Sequence, residues 1–173
     1  MSKQRHPHII HSDDLDWVPM EQGERFASKS KRLGAAAGAA QIGCSLYAVP
    51  PGKTAFPYHA HAANEEAIYI LAGEGRLRLG NAETGEESIA VRSGDYIVLP
   101  AHLNNPHQLI NNGQTDLTYL CFSTLQYPEI ATYPDSDKVG MLLTNHPSDW
   151  PAMRGRGFKL LKDTESLGYY DGE

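Results

Sequence analysis

Between residues 41 and 126 the apolar side chains come in short runs rather than at helical spacing. The segments 42–49, 67–71, 76–79, 89–91, 96–99, 107–110 and 117–122 are rich in Ile, Val, Leu, Tyr and Phe. Pro50-Pro51-Gly52, Gly73-Glu74-Gly75, Gly80-Asn81, Arg92-Ser93-Gly94 and Asn111-Asn112-Gly113 separate them. Short β-type runs punctuated by turn residues predict an all-β sandwich or barrel, not a parallel α/β sheet. Closing such strands into a barrel or double sheet also removes exposed edges. Within 76–79, Arg76 and Arg78 alternate with Leu77 and Leu79, so the leucines are expected to face the core and the arginines solvent or a subunit contact.

The two ends read differently. Residues 1–40 show no regular period, and Gly34 and Gly38 weaken the helical turn suggested by the alanines at 35–40. This segment is expected to be an irregular arm packed on the domain or on a neighbouring subunit. Residues 41–126 form the expected barrel, and 127–173 a loop-rich extension with one or two short helical turns. Pro128, Pro134, Pro147 and Pro151 disfavour helix or central strand there.

A chain of 173 residues fits one domain and buries roughly two-thirds of its unfolded surface. With 21 acidic against 15 basic residues, the formal charge of -6 argues against a nucleic-acid backbone or an anionic membrane as partner. Cys44 and Cys121 are too few for a disulfide scaffold and sit in apolar, strand-like surroundings, where free Cys acts as a small core hydrophobe. The first six residues show no apolar leader and no run spans a bilayer, so a cytoplasmic protein is expected.

Candidate chemistry is concentrated in two segments. In the first, His59 and His61 stand two apart on an extended stretch, which points both imidazoles to one face. Glu66 follows shortly; a carboxylate beside two neutral imidazoles suits a divalent transition metal. Glu65 and Glu66 have opposite strand parity, and both faces are apolar, so periodicity does not choose between them. In the second segment, Gly94 opens an apolar strand closed by Pro100, and His107 lies on the return strand.

These two segments resemble the paired motifs of the cupin superfamily. Gly52, His59, His61, Glu66 and Gly73 match the first motif, with one extra residue between Gly52 and His59. Gly94, Pro100, His107 and Asn111 match the second, except that His102 replaces a turn glycine and the turn to His107 is two residues longer. The resemblance covers about residues 41–123, and the whole chain is similar to small bacterial cupins of the sugar-phosphate-isomerase-like kind. It implies a double-stranded β-helix (a jelly-roll barrel) and one divalent transition metal, Mn, Fe, Co, Ni, Cu or Zn, held by His59, His61, Glu66 and His107. It selects Glu66 over Glu65 and leaves His102 as an exposed turn residue. Pairing of two copies into a homodimer is also implied.

Three imidazoles and one carboxylate leave the metal with positions for water or substrate, open to isomerase, lyase or dioxygenase chemistry on a small oxygen-rich metabolite. The other reading is a non-catalytic, metal-dependent small-molecule binder. A transcription factor would need an added DNA-reading domain, for which no pattern exists. Tyr58, Tyr96, Tyr119 and Gln108 are expected mainly as half-buried packing residues. Arg154-Gly155-Arg156-Gly157-Phe158-Lys159 reads as a solvated turn, since it lacks the aromatic interleaving of a single-strand binder.

Overall fold

The computed structural model describes residues 6–81, 85–143 and 158–163. In chain order the strands are β1 (Val18–Gln22), β2 (Phe26–Lys31), β3 (Ile42–Val49), β4 (Ala60–His61), β5 (Glu66–Ala72), β6 (Glu74–Asn81) and β7 (Gly85–Arg92). They continue with β8 (Tyr96–Leu99), β9 (His107–Ile110), β10 (Leu117–Thr124), β11 (Glu129–Tyr133), β12 (Lys138–Leu142) and β13 (Phe158–Lys162). One short helix, α1 (Leu33–Ala36), precedes β3.

The strands form antiparallel sheets in the orders β1-β2-β3-β10-β5-β8, β7-β6-β9 and β13-β12-β11-β4. This is the jelly-roll arrangement that the motif spacing implies. Single bridges stitch the sheets together, including one between His59 and His107, whose backbones exchange two hydrogen bonds of 3.1 and 2.8 Å.

Strand parity builds the interior. Along β5, Ile68 and Ile70 are buried, while Tyr69 and Leu71 face outward. Glu66 shares the parity of the isoleucines and is carried inside, whereas Glu65 is exposed. Val49, Leu77, Val91, Leu99, Leu109, Leu117 and Tyr119 complete the core cluster. Full burial of a side chain such as Ile70 or Leu117 contributes about 1.5–3 kcal/mol. Leu77 is in the core and Arg76 outside, as the alternation predicts.

The motif residues outside the metal cluster are structural. Gly73 turns β5 into β6 with φ +84°, and a Cβ there would lie 2.7 Å from the Asp116 carbonyl oxygen, so only glycine fits. Asn111 is fully buried: its amide donates to the carbonyls of Val49 (2.7 Å) and Thr115 (2.8 Å), and its Oδ1 accepts from the Gly113 N–H.

Both ends depart from the expectation of irregular chain. Residues 18–31 form a hairpin, β1–β2, that extends the six-stranded sheet through pairing of Lys29, Ser30 and Lys31 with β3. The hairpin leaves Val18 and Met20 exposed opposite Ser30 and Ser28, and carries Pro19 on an edge strand, where a missing donor is tolerated. Trp17 fixes it from above, its ring lying 5.3 Å from Lys29 Nζ and 4.8 Å from Lys31 Nζ. At the other end β11 and β12 are strands, not loop, and β13 pairs with β12. Pro128 and Pro134 fall just outside β11 and bound it rather than break it. Phe158 and Lys159, read as part of a turn, begin β13; residues 154–157, 147 and 151 lie outside the described residues.

Among the described residues, no helix is long and apolar enough to cross a membrane.

Candidate metal centre

The site lies where three chain segments converge on the interior. His59 and His61 come from the segment entering β4, Glu66 from the first residue of β5, and His107 from the first residue of β9. One ligand atom from each of these four residues lies within 4.8 Å of the others. Parity, the His59–His107 backbone bridge and the Glu66↔Leu99 pairing place them there. The longer turn before His107 does not displace it. His102 stays on an exposed turn, where its Nδ1 accepts from the Asn104 N–H at 3.0 Å.

Each imidazole presents one nitrogen inward and is steadied at the other. His59 Nδ1 lies 2.8 Å from the Pro57 carbonyl, and His107 Nδ1 lies 3.5 Å from that of Asn105. His61 Nδ1 faces Glu129 Oε1 at 3.6 Å, an ion-pair separation longer than a hydrogen bond. Inside the cluster, His107 Nε2 approaches Glu66 Oε2 at 3.3 Å and His61 Nε2 approaches Glu66 Oε1 at 3.8 Å. Yet both nitrogens of His61 and Nε2 of His107 are buried without a hydrogen-bond partner. Buried polar atoms are rarely left so. His61 Nε2 and His107 Nε2, orphaned beside the Glu66 carboxylate, fit a divalent metal of the Mn-to-Zn series, which these two residues together with His59 and Glu66 could hold.

The titration behaviour of His59 and Glu66 agrees with that donor set. Burial, reinforced by the neighbouring imidazoles of His107 and His61, pushes His59 down to about 4, so its lone pair is free at neutral pH. Burial also opposes a charge on His61, but the carboxylates of Glu129 and Glu66 outweigh it and raise its pKa. Burial works against ionisation of Glu66, and the surrounding histidines more than compensate, holding it ionised below the usual range.

Glu129 is the residue that sequence reasoning missed. It is buried at the start of β11 and accepts from the Ala62 N–H (2.9 Å), the Ala63 N–H (3.4 Å) and the Asn64 side-chain amide. A carboxylate behind a ligating imidazole orients the ring and raises its basicity. Tyr133, on the same face of β11, stacks on His59 with centroids 6.1 Å apart and planes at 19°. No spacing rule links residue 129 to residue 61; the available signal was the alternation of Glu129, Ala131 and Tyr133 between two prolines.

The cluster opens into a cavity of about 510 Å³. Tyr119 and Gln108, expected to be packing residues, both line it; Tyr58 is buried elsewhere, beneath Arg78, and Tyr96 is on the surface. Cys44 and Cys121 are free and touch the cavity, and burial pushes both thiols up, which keeps them protonated and unreactive.

Comparison with known proteins agrees with this geometry. Residues 45–123 match the family model of the cupin domain. An uncharacterized protein of Methanocaldococcus jannaschii is 37% identical over 79 residues, 46% of this chain and 57% of that protein, so the match spans little more than half the relative's length. The crystal structure of a candidate sugar phosphate isomerase from Acidithiobacillus ferrooxidans superposes with a TM-score of 0.67 at 26% identity, over 82% of this chain and 81% of its own. A cupin-superfamily sugar phosphate isomerase from Silicibacter pomeroyi gives 0.69 at 24% identity, over 93% and 97%. A predicted oxalate decarboxylase from Thermotoga maritima gives 0.56 at 22%, over 68% and 99%. The last two likenesses speak to the fold alone. Antiparallel sheets in jelly-roll order, both motifs close to their family spacing and the match to the family model show that residues 45–123 of this chain form a cupin domain.

Proposed function

We propose that the chain is a metal-dependent enzyme acting on a small oxygen-bearing metabolite, with His59, His61, Glu66 and His107 as the ligands. The observation that carries this reading is the convergence of four ligand atoms, with His61 Nε2 and His107 Nε2 buried and unsatisfied, at the wall of a ligand-sized cavity. A divalent ion bound there would supply a Lewis acid of net charge about +1 that polarises a carbonyl or acidifies water. The protein's own part is positional. Glu129 and the carbonyls of Pro57 and Asn105 fix the rings, and the β11 strand covers one side.

Isomerase or lyase chemistry, a proton shift next to the polarised carbonyl, is the class we favour. The 26% likeness to a candidate sugar phosphate isomerase supports that class. Its test is solvent deuterium incorporation, followed by NMR, into hydroxy-carbonyl and keto-acid compounds incubated with protein loaded with Mn, Co or Zn. Exchange that disappears in Glu66→Ala is expected. Metal-loaded protein that binds such compounds yet never exchanges or converts them would make the domain a binding module instead. A native iron, nickel or copper content would redirect the same ligand set to dioxygenase chemistry.

We also propose that the protein is a homodimer. Tyr69 and Leu71 of β5 and Tyr96 and Val98 of the edge strand β8 present exposed apolar side chains that a second copy would cover. Light scattering should return twice the chain mass; a monomer would contradict this.

A further inference from the structure

Strand register lays out the cavity floor as a grid. Across β5, β10 and β3 its inward rows read Glu66–Ser123–Gly43, then Ile68–Cys121–Ser45, then Ile70–Tyr119–Tyr47. Roughly 13 Å of strand separate the Tyr119 row from the row of Glu66. Most polar groups of this floor are already engaged. Ser123 Oγ donates to the Thr124 carbonyl at 2.9 Å, and the Ser45 side chain partners the Tyr47 hydroxyl. Tyr119 differs: it is 2% exposed and lines the cavity, yet its hydroxyl makes no hydrogen bond among the described residues.

A buried hydroxyl is rarely left without a partner. If the position served packing alone, phenylalanine would make the same ring contacts and leave no donor unsatisfied. The ring is also held in place. It stacks on Tyr47 (5.4 Å, 21°), which in turn stands edge-on to Phe56 (5.4 Å, 77°). Burial, reinforced by Cys121, Tyr47 and Glu66 nearby, pushes this phenol well above its ordinary value, so it keeps its proton and remains a donor at neutral pH. Tyr127 and Tyr133 also line the cavity without a hydrogen-bond partner among the described residues, but both are half-buried, and water can serve them.

We infer that Tyr119 is a specificity-determining residue of the site: its hydroxyl donates to a second oxygen of the ligand, several bonds away from the oxygen that meets the ion. The ligand class that follows is a hydroxylated chain long enough to bridge the two rows, and not a compact two-carbon acid. This rests on the metal-centre reading above and adds to it a requirement on ligand length.

The test uses the full chain loaded with zinc, which is redox-inert and leaves the probes intact. Calorimetry would titrate 4-hydroxybutanohydroxamate, 5-hydroxypentanohydroxamate and 6-hydroxyhexanohydroxamate, each beside the isostere in which a methyl replaces the terminal hydroxyl. Acetohydroxamate, too short to reach Tyr119, reports on the ion alone. At least one hydroxylated probe should bind roughly tenfold more tightly than its isostere. Tyr119→Phe should bring that pair to parity while zinc content, unfolding temperature and acetohydroxamate affinity stay as in the unaltered protein. Parity of all three pairs in the unaltered protein, or an advantage that survives in Tyr119→Phe, would overturn the inference. So would a loss of zinc or of acetohydroxamate binding in Tyr119→Phe, which would make Tyr119 a packing residue. If the unaltered protein takes up no zinc, the metal-centre reading fails and this inference with it; zinc content measured beforehand tells the two failures apart.

Discussion

Two charged clusters in this molecule invite comparison, one inside the jelly roll and one on its surface. On the surface, Arg78 donates to both carboxylate oxygens of Asp135 (2.7 and 2.9 Å) and to Glu86 (2.7 Å), while its guanidinium lies 3.8 Å over the Tyr58 ring. Its charge is met on every side and water is close. Inside, His59, His61, Glu66 and His107 are packed as tightly, but His61 and His107 keep buried nitrogens with no hydrogen-bond partner. A satisfied cluster in water explains itself as a clasp. A half-buried cluster with unsatisfied nitrogens leaves room for a further partner, and a divalent cation could complete it. The two are also linked, since Asp135 sits in the turn between β11 and β12. The surface clasp therefore ties down the hairpin that brings Glu129 and Tyr133 against the histidines.

Removing metal should separate the clusters most. With free ion a thousandfold above its dissociation constant, binding adds about 4 kcal/mol to stability, a thermal shift of roughly 8–16 °C for a chain of this size. Differential scanning fluorimetry with and without a chelator measures it; no shift would count against the inner cluster as a metal centre. Next in size, His61→Ala and Glu66→Ala should weaken metal binding by more than the roughly 100-fold upper range of outer-partner changes. Competition titration against a chromogenic chelator reads this directly.

Glu129→Gln should weaken metal affinity by about 10–100-fold and remove the downfield ring N–H resonance of His61 in zinc-loaded protein. If only thermal stability falls, Glu129 is a strand cap and nothing more.

The smallest effect belongs to the surface. Asp135→Asn should cost at most about 1 kcal/mol and leave metal affinity within experimental error. Its pH dependence is fixed in sign: Arg78 beside Asp135 holds the carboxyl below its ordinary value. The stabilisation is present above about pH 4, the unfolded value, and is lost as pH falls through the lower folded value. The gap between wild type and variant should therefore close in acid, and narrow with added salt.

The sequence made some of this legible and hid the rest for identifiable reasons. Strands β3, β8 and β9 lie where the apolar runs end, because a buried strand between turn residues leaves an unambiguous trace. The four candidate ligands were readable because two of them are two residues apart on one face and the motif spacing carries the others. Glu66 over Glu65 was not decidable from alternation, since Tyr69 and Leu71 make the outer face of β5 as apolar as the inner. The β1–β2 hairpin sets only Val18 and Met20 of β1 against the polar Ser30 and Ser28 of β2, so hydrophobic periodicity had little to register. Strand β11 was masked by Pro128 and Pro134, which mark its ends. Glu129 gains its role only from a fold that pairs Ala131 with His61.

The most direct test of the metal centre is anomalous diffraction from crystals of metal-reconstituted protein, recorded at the absorption edge of the ion. A single peak about 2.0–2.2 Å from one nitrogen each of His59, His61 and His107 and from an oxygen of Glu66 is the predicted result. A peak elsewhere, or none with metal in excess, would contradict it.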